Sequence, residues 1–326
     1  MSNMTLGTAQ IGMNYGVANV SGKPGDEESL IMLESAVDGG ITSIDTASTY
    51  GDSEARLGRF FQSPFFHGEP PYITTKLRVG IGATRQGGLV LSESELGQLT
   101  KEYLDMGAAA EKTVFQTVEQ SLERLKLKKI NCVMLHDPVE MRAGGKPLAK
   151  IMGKLVKAGY ADEVGGSVYF PADVDALLSY DEYTATQLPM SIFDQKMIHS
   201  GALVRLYNNN FAVFVRSVFL QGLFFLDPDK DLDPILAEHA VPHIRTLRRL
   251  AQDEGVSIAQ LAISFVRDTL GVTSLVLGCD TKAQLEENVK LMEGPAVSEK
   301  TMNVILNSFT DLHYEEIMTV LGRVKE

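Results

Sequence analysis

Short apolar runs alternate with amphipathic stretches along almost the whole chain. Thr5-Leu6-Gly7 opens as a strand. Leu30, Leu33, Ala36 and Val37 then recur at helical spacing, with Asp26 placed as the N-cap. Ser43-Ile44-Asp45 reads as the second strand, and Ser53 to Phe61 as a helix with Ala55, Leu57 and Phe60 apolar. Pro71 to Thr75 is a third strand that runs into Lys76. The Gly-rich stretch from Leu77 to Gly107 reads as one long loop, and loops of that length in compact domains are usually functional. Val114, Phe115, Val118, Leu122 and Leu125 mark a helix, and Ile130 to Leu135 a fourth strand that ends at His136. The second half continues in the same way. Pro147–Ala158 is helical, Glu163–Val168 a strand, Asp173–Leu178 a short helix, and Ala185–Leu188 and Ala212–Val215 strands six and seven. A helix follows from Ile235 to Ala251. Ser257-Ile258-Ala259-Gln260 is a capping-box sequence, Thr273–Leu277 the eighth strand, and Thr281-Lys282-Ala283-Gln284 a second capping box.

The apolar runs are not strictly alternating, which suits strands buried on both faces. Regular βα alternation predicts a parallel sheet. Eight such units in 326 residues point to an α/β fold, a closed (β/α)8 TIM barrel, with a doubly wound sheet as the alternative. No Pro- or Ser-rich linker divides the chain, so a single domain over residues 1–326 is expected. In such barrels the active site lies at the C-terminal ends of the strands.

Composition narrows the picture little. Hydrophobic content of 44% and charged content of 22% are ordinary for a globular chain. No run long enough to span a membrane and no leader-like N-terminus is present, so a cytoplasmic protein is expected. The two cysteines, Cys132 and Cys279, exclude a disulfide framework, and no CxxC or clustered His announces a metal. A net charge of −12 argues against nucleic acid and anionic membranes as partners. It leaves room for an anionic small ligand in a locally positive pocket.

Asp45, Lys76 and His136 stand at the ends of successive strands, and Tyr50 follows Asp45 by one loop. A phenol titrates near pH 10, and an adjacent ammonium favours the phenolate. Lys76 is therefore expected to make Tyr50 a stronger acid, Asp45 to hold Lys76, and His136 to hydrogen-bond a substrate oxygen. Such a set can protonate an oxygen but holds no obvious nucleophile. Carbonyl reduction needs that proton and a hydride that no side chain supplies, so a hydride cofactor is implied. Singly, each of the four has a bland reading: a loop aromatic, a structural ion pair, a polar strand end.

From Leu6-Gly7-Thr8 to Glu287-Asn288 the chain resembles the aldo-keto reductases. The segment Ile44-Asp45-Thr46-Ala47 to Tyr50-Gly51-Asp52-Ser53-Glu54, the strand ending Thr75-Lys76, and Leu135-His136 match that family's Asp-Tyr-Lys-His tetrad in order. The resemblance implies a (β/α)8 barrel that binds NADPH, or NADH, without a Rossmann domain, and a small-molecule carbonyl as substrate. Gly80-Ile81-Gly82-Ala83-Thr84-Arg85 has Arg85 where a dinucleotide fingerprint needs its third glycine. Carried over by position, the cofactor contacts are Gly7, Thr8 and Asp45, then Ser167 and Gln187 for the nicotinamide carboxamide. Arg216, Ser217, Leu220 and Gly222 follow after strand seven, and Gly278, Lys282, Gln284, Glu287 and Asn288 at the adenosine end. Arg216 stands where the family has an aromatic on the nicotinamide; a planar guanidinium can take that place, and the alternative is a strand-end Arg that pairs with an acid or a cofactor phosphate. Family members place Lys and Arg where this chain has Gly278 and Gln284, with Lys282 as a substitute; NADPH is expected, with NADH the alternative.

The resemblance thus implies reduction of an aldehyde or ketone, a sugar-derived one among the candidates, since Arg78 beside Lys76 suits a polar or anionic substrate. The alternatives are a cofactor-binding regulatory subunit with little turnover, and a lyase or isomerase that uses Lys76 as a Schiff-base amine.

Overall fold

The computed structural model describes residues 3–15, 22–80, 92–230, 232–309 and 312–323. The strands are β1 (Met4–Gly7), β2 (Ser43–Asp45), β3 (Tyr72–Leu77), β4 (Ile130–Leu135), β5 (Ala161–Ser167), β6 (Ala185–Pro189), β7 (Ala212–Arg216) and β8 (Ser274–Gly278). They pair in parallel in sequence order, and β8 closes onto β1 with Gly278 opposite Gly7. The barrel, with helices between its strands, is the TIM-barrel fold expected from the βα alternation.

Alternation along each strand divides side chains between two cores. Outward positions such as Ile44, Ile73, Val133, Val164 and Val213 join the large core under the helices. Inward positions Cys132, Met134, Ala185 and Phe214 form a second, small cluster inside the barrel. Below it the lumen is polar: Thr5 Oγ1 bonds Ser43 Oγ at 2.9 Å and Ser274 Oγ at 2.7 Å. The next inward residue above Phe214 on β7 is Arg216, and the same alternation places Lys76 above Tyr72 and Thr74 on β3. The inward face therefore turns from apolar to charged at the strand ends.

The helices between the barrel strands are α1 (Ala9–Gly12), α2 (Asp26–Asp38), α3 (Ser53–Phe61), α4 (Glu93–Met106), α5 (Ala108–Leu125) and α6 (Pro138–Lys157). They continue as α7 (Pro171–Leu178), α8 (Lys196–His199), α9 (Ala202–Asn208), α10 (Val241–Glu254) and α11 (Ile258–Arg267). After β8 come α12 (Lys282–Met292), α13 (Glu299–Asn307) and α14 (Tyr314–Arg323). Asp26 is the first helical residue and Gly25 the cap. The expected long loop after Leu77 contains α4, capped by Ser92, whose hydroxyl accepts from Glu95 N. Helix α6 starts well before Pro147 and breaks at Gly145 (φ 49°, ψ −144°), so Pro147 opens the second segment, where its missing N–H costs nothing. Both predicted capping boxes form by half. Ser257 and Thr281 accept from Gln260 N and Gln284 N, but the glutamine side chains turn elsewhere, Gln260 to Ser264 and Leu291. Residues 81–85 of the glycine-rich fingerprint lie outside the described residues.

Candidate active site

Each strand end delivers its residue to one place. Asp45, at the end of β2, is 3% exposed and Lys76, on β3, 1%. Lys76 Nζ donates to Asp45 Oδ1 at 2.6 Å and to Thr46 O at 2.9 Å. Gln187, on β6, donates to the same Oδ1 at 2.8 Å. Asp45 O in turn accepts from the Thr8 hydroxyl at 2.8 Å. The Tyr50 loop is tied to β3 by Ser48, whose N and Oγ both reach Lys76 O at 2.9 Å. It also rests on α1: a Cβ added at Gly12 would lie 1.9 Å from Tyr50 O. Only a glycine permits that approach.

Tyr50 is thereby held with its ring centroid 5.0 Å from Lys76 Nζ and in edge contact with the His136 ring at 5.7 Å. His136 follows β4, where its N–H bonds Leu77 O, and its Nδ1 pairs with the Thr49 hydroxyl at 3.0 Å. The four residues of the tetrad are therefore neighbours.

The electrostatics differ from expectation in one respect. Tyr50 is not a stronger acid than an ordinary tyrosine here. Burial, followed by the Asp45 carboxylate, pushes the phenol well above its ordinary value. Lys76 has its charge matched by Asp45 at close range, while burial pulls its own pKa down. His136 is held at about 3 by burial, then by the positive charges of Lys76, Arg78 and Arg216. The imidazole is consequently neutral near pH 7.

A cavity of about 470 Å³ opens above this cluster, lined by Asp45, Tyr50, Gln187 and Arg216 at one end and by Gly278, Gln284, Glu287 and Asn288 at the other. Its middle is the turn after β7, where Ser217, Leu220, Gln221 and Gly222 all have positive φ. Backbone strain of this kind persists only where surrounding structure imposes it, and such turns can present N–H groups to an anion. Gly7, Thr8, Ser217 and Gly222 line the cavity as well. Ser167, Leu220 and Lys282 do not, and neither do Lys76 and His136, which adjoin Asp45 and Tyr50. Lys282 is turned to solvent, 3.8 Å from Glu286. Asn288 Nδ2 contacts Cys279 Sγ at 3.3 Å, and Gln284 Oε1 accepts from Asp280 N at 2.7 Å. Arg216 is stacked on Tyr169, its Cζ 4.4 Å from the ring centroid. Arg78 is 4.0 Å from Asp137.

Several lining residues escaped the sequence reading: Gln10, Tyr15, Phe219, Gln221, Phe225 and Leu291. Gln10 sits in α1, Tyr15 just after it and Leu291 on α12, while Phe219, Gln221 and Phe225 lie in the turn after β7, of which only neighbouring positions were carried over from the resemblance. His239, His313 and Glu316 also come together, with Glu316 3.1 Å from each imidazole, although 74 residues separate the histidines in sequence.

A buried tyrosine beside a buried ion pair, at the mouth of a barrel and facing an extended cavity, is an arrangement with the chemistry to pass a proton to a bound ligand. The family model of the Aldo/keto reductase family matches residues 3–306, and the chain belongs to that family. Membership supports an oxidoreductase acting on carbonyl groups and implies a nicotinamide cofactor. The L-glyceraldehyde 3-phosphate reductase of Escherichia coli (strain K12) is 24% identical, over 95% of this chain and 91% of its own. The D-threo-aldose 1-dehydrogenase of a Pseudomonas species is 26% identical, over 87% and 90%. Among solved structures, a glycerol dehydrogenase from Gluconobacter oxydans superposes with a TM-score of 0.70 at 22% identity, over 94% of this chain and 91% of that one. An aldo/keto reductase from Klebsiella pneumoniae, solved with NADP and acetate, superposes with a TM-score of 0.64 at 16% identity, over 95% and 92%. No helix among the described residues is long and apolar enough to cross a membrane.

Proposed function

We propose that the chain reduces an aldehyde or ketone to an alcohol, with Tyr50 as proton donor and a nicotinamide cofactor bound along the cavity. The convergence of Tyr50, Lys76, Asp45 and His136 at the mouth of that cavity carries the reading. The groove fits such a cofactor. It is extended, glycines 7, 222 and 278 line it, and the buried Gln221 Oε1 has no partner among the described residues. When bound, the reduced nicotinamide supplies the hydride.

The residues supply the rest. Burial keeps the Tyr50 phenol loaded with its proton at neutral pH, as a donor needs. Lys76, fixed by Asp45 and Thr46 O, is close enough to favour the phenolate once the proton has left. With the Thr49 hydroxyl donating to Nδ1, neutral His136 carries its proton on Nε2 and can donate to the carbonyl oxygen. Gln187, which lines the cavity, is assigned to the carboxamide; its Nε2 is engaged with Asp45, which leaves its oxygen for that role, while Ser167 stands off the cavity. The Schiff-base alternative fits poorly, because Lys76 Nζ is buried behind Asp45 with two acceptors.

Two finer readings follow. The charged residues lining the adenosine end are Asp280 and Glu287, and Lys282 points away. A 2′-phosphate there would meet like charge, which favours NADH over the NADPH expected from the resemblance. The curated relatives, a glyceraldehyde-phosphate reductase and an aldose dehydrogenase, support a sugar-derived carbonyl. The test is cofactor oxidation with a panel of aldehydes and ketones, NADH and NADPH side by side, and Tyr50→Phe as control. Turnover is expected with the larger kcat/KM for NADH, lowered about 10²- to 10⁴-fold in the variant. Tight cofactor binding without turnover on any carbonyl would overturn the reading in favour of a regulatory subunit.

A further inference from the structure

Arg216 is a half-buried cation with a fully buried Nη2 and, among the described residues, no counter-charge. Among the described residues no carboxylate lies within ion-pair distance of it. Nη1 makes only a 3.5 Å contact with Ser217 Oγ, and Nη2 is buried without any hydrogen-bond partner. A buried charge left unpaired is strongly unfavourable, and an unmade buried hydrogen bond adds to that. The acid that could have answered it is occupied: Asp45, which lines the same cavity, takes Lys76 and Gln187 on one oxygen. What surrounds Arg216 instead is a set of phenols, Tyr169, Tyr15, Tyr50 and Tyr314, all within electrostatic reach. These are hydrogen-bonding groups but carry no charge.

The side chain is also held in place. One guanidinium face is covered by the Tyr169 ring, and the strand end is anchored by Met190 N donating to Arg216 O at 3.1 Å. It lines the cavity at the Tyr50 end, and its charge is felt at Tyr50, Lys76 and His136 alike. Arg78 adds a second cation on the His136 side. With Lys76 matched by Asp45 and Arg78 by Asp137, Arg216 is left as the unmatched cation where the proposed chemistry occurs, in a chain of net charge −12.

We propose that Arg216 is the anchor of an anion subsite, and that the carbonyl substrate carries a carboxylate or phosphate which pairs with it. A guanidinium presents a planar fork that matches either group bidentately, and the free Nη2 is one tine of that fork. The inference rests on the carbonyl-reductase reading above. It identifies Arg216 as a specificity residue of that site, in place of a stacking partner for the nicotinamide.

The experiment compares matched aldehydes: glyceraldehyde with glyceraldehyde 3-phosphate, and butanal with succinic semialdehyde. Each is measured in wild type, Arg216→Lys and Arg216→Met, with NADH affinity followed by its fluorescence. The readout is the anionic-to-neutral ratio of kcat/KM within each protein, so a general loss of turnover does not obscure it. In wild type the ratio is expected to exceed tenfold for at least one pair. It should fall toward one in Arg216→Met and recover in part in Arg216→Lys. An unchanged ratio in Arg216→Met, or weakened NADH binding with the ratio intact, would overturn the proposal and assign the charge to the carbonyl oxygen or the cofactor's phosphates. If no aldehyde turns over, inorganic phosphate and succinate are titrated calorimetrically against the NADH-loaded protein. Arg216-dependent binding would then keep the subsite while the reductase reading fails, and no binding would remove both.

Discussion

Asp45 compensates two buried groups at once, since its Oδ1 accepts from both Lys76 Nζ and Gln187 Nε2. Replacing one member of a buried pair leaves the other charge uncompensated. Asp45→Asn is therefore expected to lower unfolding stability by about 3–5 kcal/mol, read from urea denaturation. A loss below about 1 kcal/mol would mean that Lys76 is already neutral. His136 yields a pH signature. Its folded value is about 3, against an ordinary value of 6.5. Below pH 6.5 the unfolded chain takes up a proton that the folded chain does not, so stability falls as pH drops from 6.5 toward 3. The slope of Tm against pH over that window should be shallower in His136→Gln than in wild type. Equal slopes would show that the imidazole titrates freely. Asp45, Lys76 and His136 were legible in the sequence because each ends an apolar strand run and must emerge at the barrel's rim. The orphaned Nη2 of Arg216 was not, because an unmade contact leaves no trace in residue order. The acidity expected of Tyr50 failed for a related reason. Burial outweighs the pairing of charges, and its extent was not readable.

At the scale of elements, the placement of Tyr50 depends on how closely its loop approaches α1. Gly12 and Gly51 are in backbone contact, and Gly51 has φ +55°. Gly12→Ala forces a Cβ against the Tyr50 carbonyl and should shift the loop. Overpacking of this kind costs about 1–3 kcal/mol, and a loop displaced by a fraction of an ångström should lower kcat well beyond that loss of fold stability. The check is kcat for the best aldehyde beside the urea midpoint; a full kcat with lowered stability would show that the loop tolerates the strain. The eight strands were readable because buried parallel strands are short and apolar. Helix α4 was missed since its apolar face is thin, with only Leu99 and Tyr103 fully buried, and the glycines around it suggest a loop. The early half of α6, before the break at Gly145, was masked by glycines 144 and 145. Helices α13 and α14 lie beyond the last strand, where the βα rhythm no longer predicts anything.

For the whole molecule, the barrel collects residues from β2 to β8 into one mouth and sets an extended groove beside them. The barrel is the shared scaffold and the tetrad its proposed chemistry, while the proposals above place this chain's own ligand preferences at Arg216 and at the adenosine end beside Gly278 and Gln284. The central claim is hydride transfer to a carbonyl carbon with a proton from Tyr50. It is tested most directly by a single turnover of aldehyde with cofactor deuterated at the transferring position, in wild type and in Tyr50→Phe, with the product followed by mass spectrometry. The account predicts one deuterium on the carbinol carbon in wild type. In Tyr50→Phe it predicts a rate about 10²- to 10⁴-fold lower, with cofactor affinity retained. An unlabelled carbinol carbon, its hydrogen taken from solvent, or a variant as fast as wild type would contradict it.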